Sequence, residues 1–212
     1  MVSDLTECHP FPTGRRFSRG PFRADQLQSG DPYELSHGHP ILCLPKGGRS
    51  SKARSVGALV LFSDPTILDV GMDAGFSPTP DTLWAPDLAV AELPDHSGWV
   101  QGAPPLAVEY VDTGHDEENL TAKIQDLLAA GTCFYWVVRL THPRRVEVHQ
   151  PGKTVSIFNP GEELQAPGIL ANPVPVEALY DREMGLEVAF RNLLQRRGYD
   201  SLAAVQSARP PR

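Results

Sequence analysis

The sequence predicts an α/β domain with a central mixed β-sheet flanked by helices. Residues 106–111 and 132–140 are apolar at odd and even positions alike, a pattern typical of strands covered on both faces. Between these two runs, residues 116–130 carry apolar side chains at helical spacing and stop at Gly131, a residue that often ends helices. A buried strand, a helix and a second buried strand in this order favour helices packed on a sheet.

The first third of the chain predicts a hairpin between two helices. Residues 22–27 suggest a short helix, and residues 33–35 and 40–44 suggest two strands around a polar turn. Ser50 or Ser51 is a suitable N-cap for a helix that runs to about Phe62. The inward stripe predicted for this helix is Val56, Leu59, Val60 and Ser63.

The other elements flank the two buried runs. Residues 68–76 and 88–91 are predicted strands, separated by a turn-rich segment that contains two prolines. Residues 145–149 and 155–158 resemble a hairpin, and residues 176–197 predict a final amphipathic helix. The apolar side chains chosen for that last helix are Met184, Val188, Leu193 and Leu194.

Length and composition fit one soluble globular domain. The 212 residues are 41% hydrophobic and 21% charged. We expect a flexible basic N-terminal arm at residues 1–20, a main domain at 21–180, and a C-terminal helix and tail at 181–212.

The sequence predicts no membrane helix, and its start lacks the pattern of a signal peptide, so a cytoplasmic location is expected. Three cysteines without C-x-x-C spacing predict neither a disulfide framework nor a zinc site.

Charge is distributed unevenly along the chain. The net charge of −7 combines +3 in residues 1–56, −11 in residues 57–142 and +1 in residues 143–212. A carboxylate-rich metal site flanked by phosphate-binding arginines produces this distribution, but so does an ordinary acidic protein with a basic arm. Charge alone leaves both interpretations open.

Glu109 is the most informative residue, because its carboxylate lies inside the buried run 106–111. An unpaired buried charge is costly, so such a group shifts its pKa, pairs with a cation or binds a metal. Lys123 lies on the apolar stripe of the following helix, where it either meets a carboxylate or extends to solvent. Asp87 follows Pro86 at the start of a predicted strand; alone it indicates only a turn. Two carboxylates on adjacent strands can share a divalent cation, with the Tyr110 carbonyl as a third ligand.

The order Pro86-Asp87, Glu109 and then a lysine resembles the PD-(D/E)xK restriction-endonuclease-like superfamily. The chain is most similar to its Uma-type endonuclease family, over roughly residues 20–180. The matching stretches lie at residues 33–38, 74–76, 84–90, 105–111 and 123–138.

The resemblance implies a restriction-endonuclease-like core in which Asp87 and Glu109 bind Mg²⁺ or Mn²⁺. It also implies that the catalytic lysine has moved to Lys123, in agreement with a valine two residues after the glutamate, and that Glu34 approaches the site. Two departures concern substrate fit: residues 112–115 replace the family's usual turn, and Leu127 replaces a common tyrosine.

The expected function is Mg²⁺-dependent endonucleolytic hydrolysis of phosphodiester bonds in DNA. The main alternative is a catalytically inactive binding or regulatory module that retains the nuclease fold. A glycosidase-like hydrolase with two carboxylates and no metal is disfavoured by Lys123 and by the absence of an aromatic-rich cleft pattern. No membrane partner is expected, and a homodimer is left open.

Overall fold

The computed structural model describes residues 20–114 and 116–207. The basic arm predicted at residues 1–20 therefore lies, except for Gly20, outside the described residues, as does His115. The helices are α1 (Gly48–Ser63), α2 (Glu117–Ala129), α3 (Arg182–Arg196) and α4 (Leu202–Ser207), with 3₁₀ turns at Ala24–Gln26 and Val176–Leu179. The strands are β1 (Tyr33–Ser36), β2 (His39–Leu42), β3 (Val70–Met72), β4 (Phe76–Ser77), β5 (Leu88–Val90), β6 (Val100–Gln101), β7 (Leu106–Val111), β8 (Phe134–Arg139), β9 (Arg145–His149), β10 (Ser156–Phe158), β11 (Glu163–Leu164) and β12 (Val174–Pro175).

Six strands form the central sheet in the order β10-β9-β8-β7-β5-β3. The neighbours β7 and β8 are parallel and are joined by α2, whereas the other neighbouring pairs are antiparallel. The described residues also form small two-stranded sheets, among them the β1–β2 hairpin. The predicted mixed sheet with flanking helices is confirmed.

Helices cover both faces of the central sheet, which explains why β7 and β8 lack hydrophobic alternation. Tyr110 and Trp136 face the layer of α1 and α3, and Ala107 and Tyr135 face the layer of α2. All six residues of β7 are buried. The approach of α1 depends on Gly57, where an added Cβ would lie 1.8 Å from the Tyr110 hydroxyl. Any larger residue there would push α1 away from β7.

Helix α2 begins and ends where the sequence predicts. The Asp116 side chain accepts hydrogen bonds from the backbone N–H groups of Glu118 and Asn119, which caps the first turn. Gly131 follows with φ of 118°, a conformation that glycine adopts without strain. Leu120, Ile124 and Leu127 are buried against the sheet. This helix therefore fixes the direction of every side chain on its inward face, including Lys123.

Several predicted boundaries were wrong. Helix α1 begins at Gly48, with Gly47 and not a serine as its N-cap. Of its predicted inward stripe, Val60 and Ser63 are buried, but Leu59 is 39% exposed, and Arg54 is buried as well. The predicted strand at residues 68–76 is two short strands, β3 and β4.

The last predicted helix also differs. Residues 176–197 form a 3₁₀ turn and then α3, and α4 follows, so α3 is not the final helix. Leu193 is 47% exposed, whereas Val188 lies in the core shared with α1. The division of the chain at residue 180 stays a prediction. No helix within the described ranges is long and apolar enough to span a bilayer.

Candidate active site

Asp87, directly before β5, and Glu109, on the neighbouring antiparallel strand β7, lie side by side. Leu88 of β5 pairs with Val108 of β7, and continuing that register by one residue sets Asp87 opposite Glu109. Their exposed fractions are only 1% and 2%. The backbone N–H of Tyr110 donates to Oδ2 of Asp87 at 2.7 Å, which fixes the orientation of this carboxylate. The spacing of 22 residues in the sequence thus becomes direct proximity through the sheet.

Two basic side chains from the α1 side contact this pair. The ammonium of Lys46 lies 3.4 Å from Oδ1 of Asp87 and 3.3 Å from Oε1 of Glu109. The Nε atom of Arg54 lies 3.5 Å from Oδ1 of Asp87, and the same guanidinium also pairs with Asp73. A single ammonium is therefore shared by the two buried carboxylates.

Lys123 reaches Glu109 from α2, the helix that also packs against Ala107 and Val111 of β7. Its ammonium lies 3.3 Å from Oε2 of Glu109 and 2.8 Å from Oε1 of Glu34. It also donates to the Ala85 carbonyl at 3.3 Å, so three acceptors surround its three protons. The face of the Trp84 ring lies beneath it, 5.6 Å from ring centroid to nitrogen. Lys123 thus points toward Glu109, as its place on the apolar stripe predicts.

Glu34 contacts Lys123. Its Oε1 atom also accepts a hydrogen bond of 2.8 Å from the backbone N–H of Ala85. The hydroxyl of Tyr135, on β8, lies 3.5 Å from Oε2 of Glu109. Four sequence-predicted residues (Glu34, Asp87, Glu109 and Lys123) are therefore brought together. The Tyr110 side chain lies on the other face, where its hydroxyl donates to the Leu179 carbonyl at 3.0 Å, so only its backbone is near the pair.

Burial and like charge make Asp87 a weak acid. Desolvation, followed by the neighbouring charge of Glu109, raises the pKa of Asp87 to about 7, although Lys46, Arg54 and the Tyr110 N–H oppose the rise. Burial likewise raises the pKa of Glu34, against the charge of Lys123. Strongly shifted carboxylates grouped in one place are typical of functional sites, although structural ion pairs also produce them.

The two lysines stay protonated despite their burial. Desolvation lowers the pKa of Lys123, but the charges of Glu109 and Glu34 exceed this effect and hold its pKa well above the usual range. The pKa of Lys46 is raised in the same way, because Glu109 and Asp87 offset its desolvation. Both side chains therefore stay positively charged in the site.

Sequence reasoning missed Lys46 and Arg54. Arg54 lies on the buried stripe of α1 with Ala53, Gly57 and Val60, so the argument that selected Lys123 would also have selected Arg54 had the stripe been placed correctly. Lys46 lies in the loop before α1, at residues 43–47, and no periodicity marks it. Only the three-dimensional position of this loop shows that its side chain reaches Asp87.

Comparisons with known proteins identify the family and the fold of the chain. The profile of the Uma2 family, described as "Putative restriction endonuclease", matches residues 22–175. The chain belongs to the Uma2 family. Among solved structures, a protein of Anabaena variabilis described as a putative nuclease belonging to DUF820 superposes with a TM-score of 0.64. The match covers 76% of this chain and 99% of that chain at 18% identity, and it shows a shared fold. No curated protein matches the sequence.

Membership in the Uma2 family and the shared nuclease fold confirm the predicted restriction-endonuclease-like core. Restriction-endonuclease-like proteins generally use divalent metals. Asp87 and Glu109 supply hard oxygen atoms, the type that Mg²⁺ and Mn²⁺ prefer. Both already share one cationic group, the Lys46 ammonium, so their geometry fits a shared cation. Within residues 20–114 and 116–207, no cluster of three or more His, Cys, Asp or Glu is arranged for a metal.

Proposed function

We propose that this Uma2-family protein is an endonuclease that uses Mg²⁺ or Mn²⁺ to hydrolyse phosphodiester bonds in DNA. The observation that carries the proposal is the pair of buried carboxylates, Asp87 and Glu109, directed at one shared cation. Two carboxylates converging on one position are typical of a site for a divalent ion.

In this proposal Asp87 and Glu109 hold the ion, and the Tyr110 carbonyl is the third protein ligand. When bound, such an ion polarises a phosphoryl oxygen and lowers the pKa of a coordinated water toward neutrality. The Tyr110 N–H keeps Oδ2 of Asp87 in place, so that Oδ1 faces the position shared with Glu109. Tyr110 thus acts through its backbone alone.

Lys123 holds Glu109 in a fixed orientation and places positive charge beside the reacting phosphate. Its three protons are directed at Glu34, Glu109 and the Ala85 carbonyl. A preoriented charge of this kind stabilises negative charge that develops in the transition state, without reorganisation during the reaction. Glu34 contributes indirectly, because it orients and balances the charge of Lys123.

A cleavage assay tests the proposal. Purified protein with Mg²⁺ or Mn²⁺ is expected to nick supercoiled plasmid DNA, and chelation with EDTA is expected to stop the reaction. Asp87→Asn is expected to abolish nicking, whereas Asp95→Asn, at an exposed position away from the site, leaves it unchanged. Equal nicking by the two variants would refute the assignment of Asp87.

The inactive binding module stays as a second candidate because the site is balanced in charge. Three buried carboxylates (Glu34, Asp87 and Glu109) are matched by three basic groups (Lys46, Arg54 and Lys123), of which Arg54 also pairs with the exposed Asp73. A nuclease descendant that no longer binds metal would benefit from this neutralisation, since buried charges without partners are costly. Metal titration of the wild-type protein separates the two candidates.

Two further proposals concern the setting of the protein. A cytoplasmic location is supported by Cys43 and Cys133, which are free thiols and fit a reducing compartment.

A homodimer is supported by large apolar side chains exposed on α1 and α3: Leu59, Phe62, Leu186, Phe190 and Leu193. Light scattering of the wild type and of Phe190→Ser tests the dimer, because loss of a contact side chain would shift the mass toward that of a monomer.

A further inference from the structure

Lys46 differs from the other two basic residues of the site in how firmly it is held. The Lys123 side chain is 10% exposed and is surrounded by three acceptors. The Arg54 side chain is also 10% exposed and is anchored by Asp73. The Lys46 side chain is 31% exposed, and its contacts within the site are the two carboxylates proposed to bind metal.

The backbone around Lys46 allows its side chain to move. Residues 43–47 form a loop without regular structure, directly before α1. Gly47 and Gly48 follow, and a Cβ placed on either glycine would meet no atom within 4 Å. Space is therefore open beside the loop, and four rotatable bonds let the ammonium of a lysine swing into solvent while its backbone stays in place.

Lys46 also occupies the position that the proposed cation needs. Its nitrogen lies 3.4 Å from Oδ1 of Asp87 and 3.3 Å from Oε1 of Glu109. A magnesium ion bound to those oxygens would lie about 2 Å from each of them. The ion and the ammonium would then compete for the same two oxygens and repel each other at short range.

We propose that Lys46 is an internal counter-ion that holds Asp87 and Glu109 in the metal-free protein and is displaced when the divalent cation binds. The inference rests on the proposed metal site. Displacement moves the ammonium toward the solvent-exposed side of the site, the side from which a phosphodiester must approach. Lys46 therefore weakens metal binding and, at the same time, keeps two buried carboxylates from repelling each other.

Manganese binding by the full chain tests the exchange. Lys46→Met removes the charge but retains similar length, and it is expected to bind Mn²⁺ at least about tenfold more tightly than wild type. A tenfold change corresponds to about 1.4 kcal/mol. Lys46→Arg retains a competing charge and is expected to stay near wild type. The control is Lys52→Met, at an exposed position of α1 outside the site.

The outcomes separate this inference from the proposed function. Loss of Mn²⁺ binding in Asp87→Asn, with unchanged or weaker binding in Lys46→Met, overturns the exchange and leaves the metal site standing. Equal binding by wild type and Asp87→Asn refutes the metal site itself. If wild type does not bind and Lys46→Met does, the exchange is supported; if neither binds, both proposals fail.

A second readout needs no metal. In EDTA, Lys46→Met is expected to lower the melting temperature, because Asp87 and Glu109 lose their shared counter-ion. The same substitution in a protein that already carries Asp87→Asn and Glu109→Gln is expected to have little effect. An equal shift in both backgrounds would show that these carboxylates do not hold Lys46, and would overturn the inference.

Discussion

The backbone N–H of Tyr110 donates a hydrogen bond of 2.7 Å to Oδ2 of Asp87, which ties one carboxylate of the pair to the strand that carries the other. Asp87 lies directly before β5 and Tyr110 lies on β7, so the contact joins the two strands at the end of their antiparallel pairing. It uses one oxygen of Asp87 and leaves Oδ1 directed at the position shared with Glu109. A rigid sheet and not a flexible loop therefore sets the spacing of the two proposed ligands.

The first prediction concerns Asp87 as a metal ligand. Asp87→Asn is expected to reduce Mn²⁺ affinity at least about 100-fold, since loss of even an outer partner of a ligand typically costs 10–100-fold. Asparagine retains an oxygen that can accept the Tyr110 N–H, so the fold is expected to stay intact. Calorimetric titration measures the affinity and circular dichroism the fold, with Asp95→Asn as the matched control. Unchanged affinity in a folded Asp87→Asn protein would remove Asp87 from the site.

The second prediction concerns the pH dependence of stability in the metal-free protein. The pKa of Asp87 is raised to about 7 in the folded protein, against about 3.9 for an unfolded aspartate. Between these values the folded state binds more protons than the unfolded state, so stability falls as pH rises from about 4 to about 7 and levels off above that range.

Asp87→Asn removes this dependence. The free energy of unfolding of the variant, relative to wild type, is therefore expected to increase from pH 5 to pH 8. Urea denaturation in EDTA at the two pH values measures both proteins, with Asp95→Asn again as control. A difference that is the same at both pH values would show that Asp87 titrates in its ordinary range.

Much of this arrangement could be predicted from the sequence, because it depends on periodicity. The double-sided apolar run of β7 and the helical stripe of α2 place Glu109 and Lys123 in the interior, and the structure brings their charged atoms to within 3.3 Å. Many apolar side chains define β7 and α2, so Glu109 and Lys123 are recognisable as charged residues in apolar surroundings.

The remainder depends on tertiary contacts that no local pattern records. The position of Lys46 follows from the path of a loop, and the stripe of α1 is set by the close approach of Gly57 to Tyr110 and not by the most apolar side chains. The apolar pattern of α1 therefore predicts that Leu59 is buried, whereas the structure exposes Leu59 and buries Arg54. Pairing of Asp87 with Glu109 required the strand register, which the sequence left undetermined.

The third prediction concerns the buried ion pair of Lys123 and Glu34. Lys123→Met is expected to lower the free energy of unfolding by about 3–5 kcal/mol, because it leaves buried carboxylates without their cation. Adding Glu34→Gln to this variant is expected to recover part of the loss, since it removes one of the uncompensated charges. Urea denaturation of the single and double variants measures the coupling.

The control for this comparison of single and double variants is Lys52→Met. Lys52 is exposed, so its replacement is expected to change the free energy of unfolding by less than about 0.5 kcal/mol. Strictly additive losses in the double variant would show that Lys123 and Glu34 do not stabilise each other. A further variant, Lys123→Arg, reports on catalysis. A folded Lys123→Arg protein that binds Mn²⁺ like wild type but cuts more slowly would fit a lysine that acts on charge in the transition state rather than on the metal.

The last prediction separates a nuclease from a binding module through Glu109. Glu109→Gln is expected to abolish metal-dependent cutting, while Glu92→Gln, at an exposed position, cuts like wild type. If the protein is instead a binding module, wild type cuts neither duplex, single-stranded nor branched DNA, with Mg²⁺ or with Mn²⁺. Any DNA binding then survives Glu109→Gln and weakens with added salt, because basic residues such as Arg15, Arg16 and Arg19, which lie outside the described residues, neutralise phosphates. Cutting by wild type together with full activity of Glu109→Gln would contradict both views, since it would place the reacting phosphate at another site.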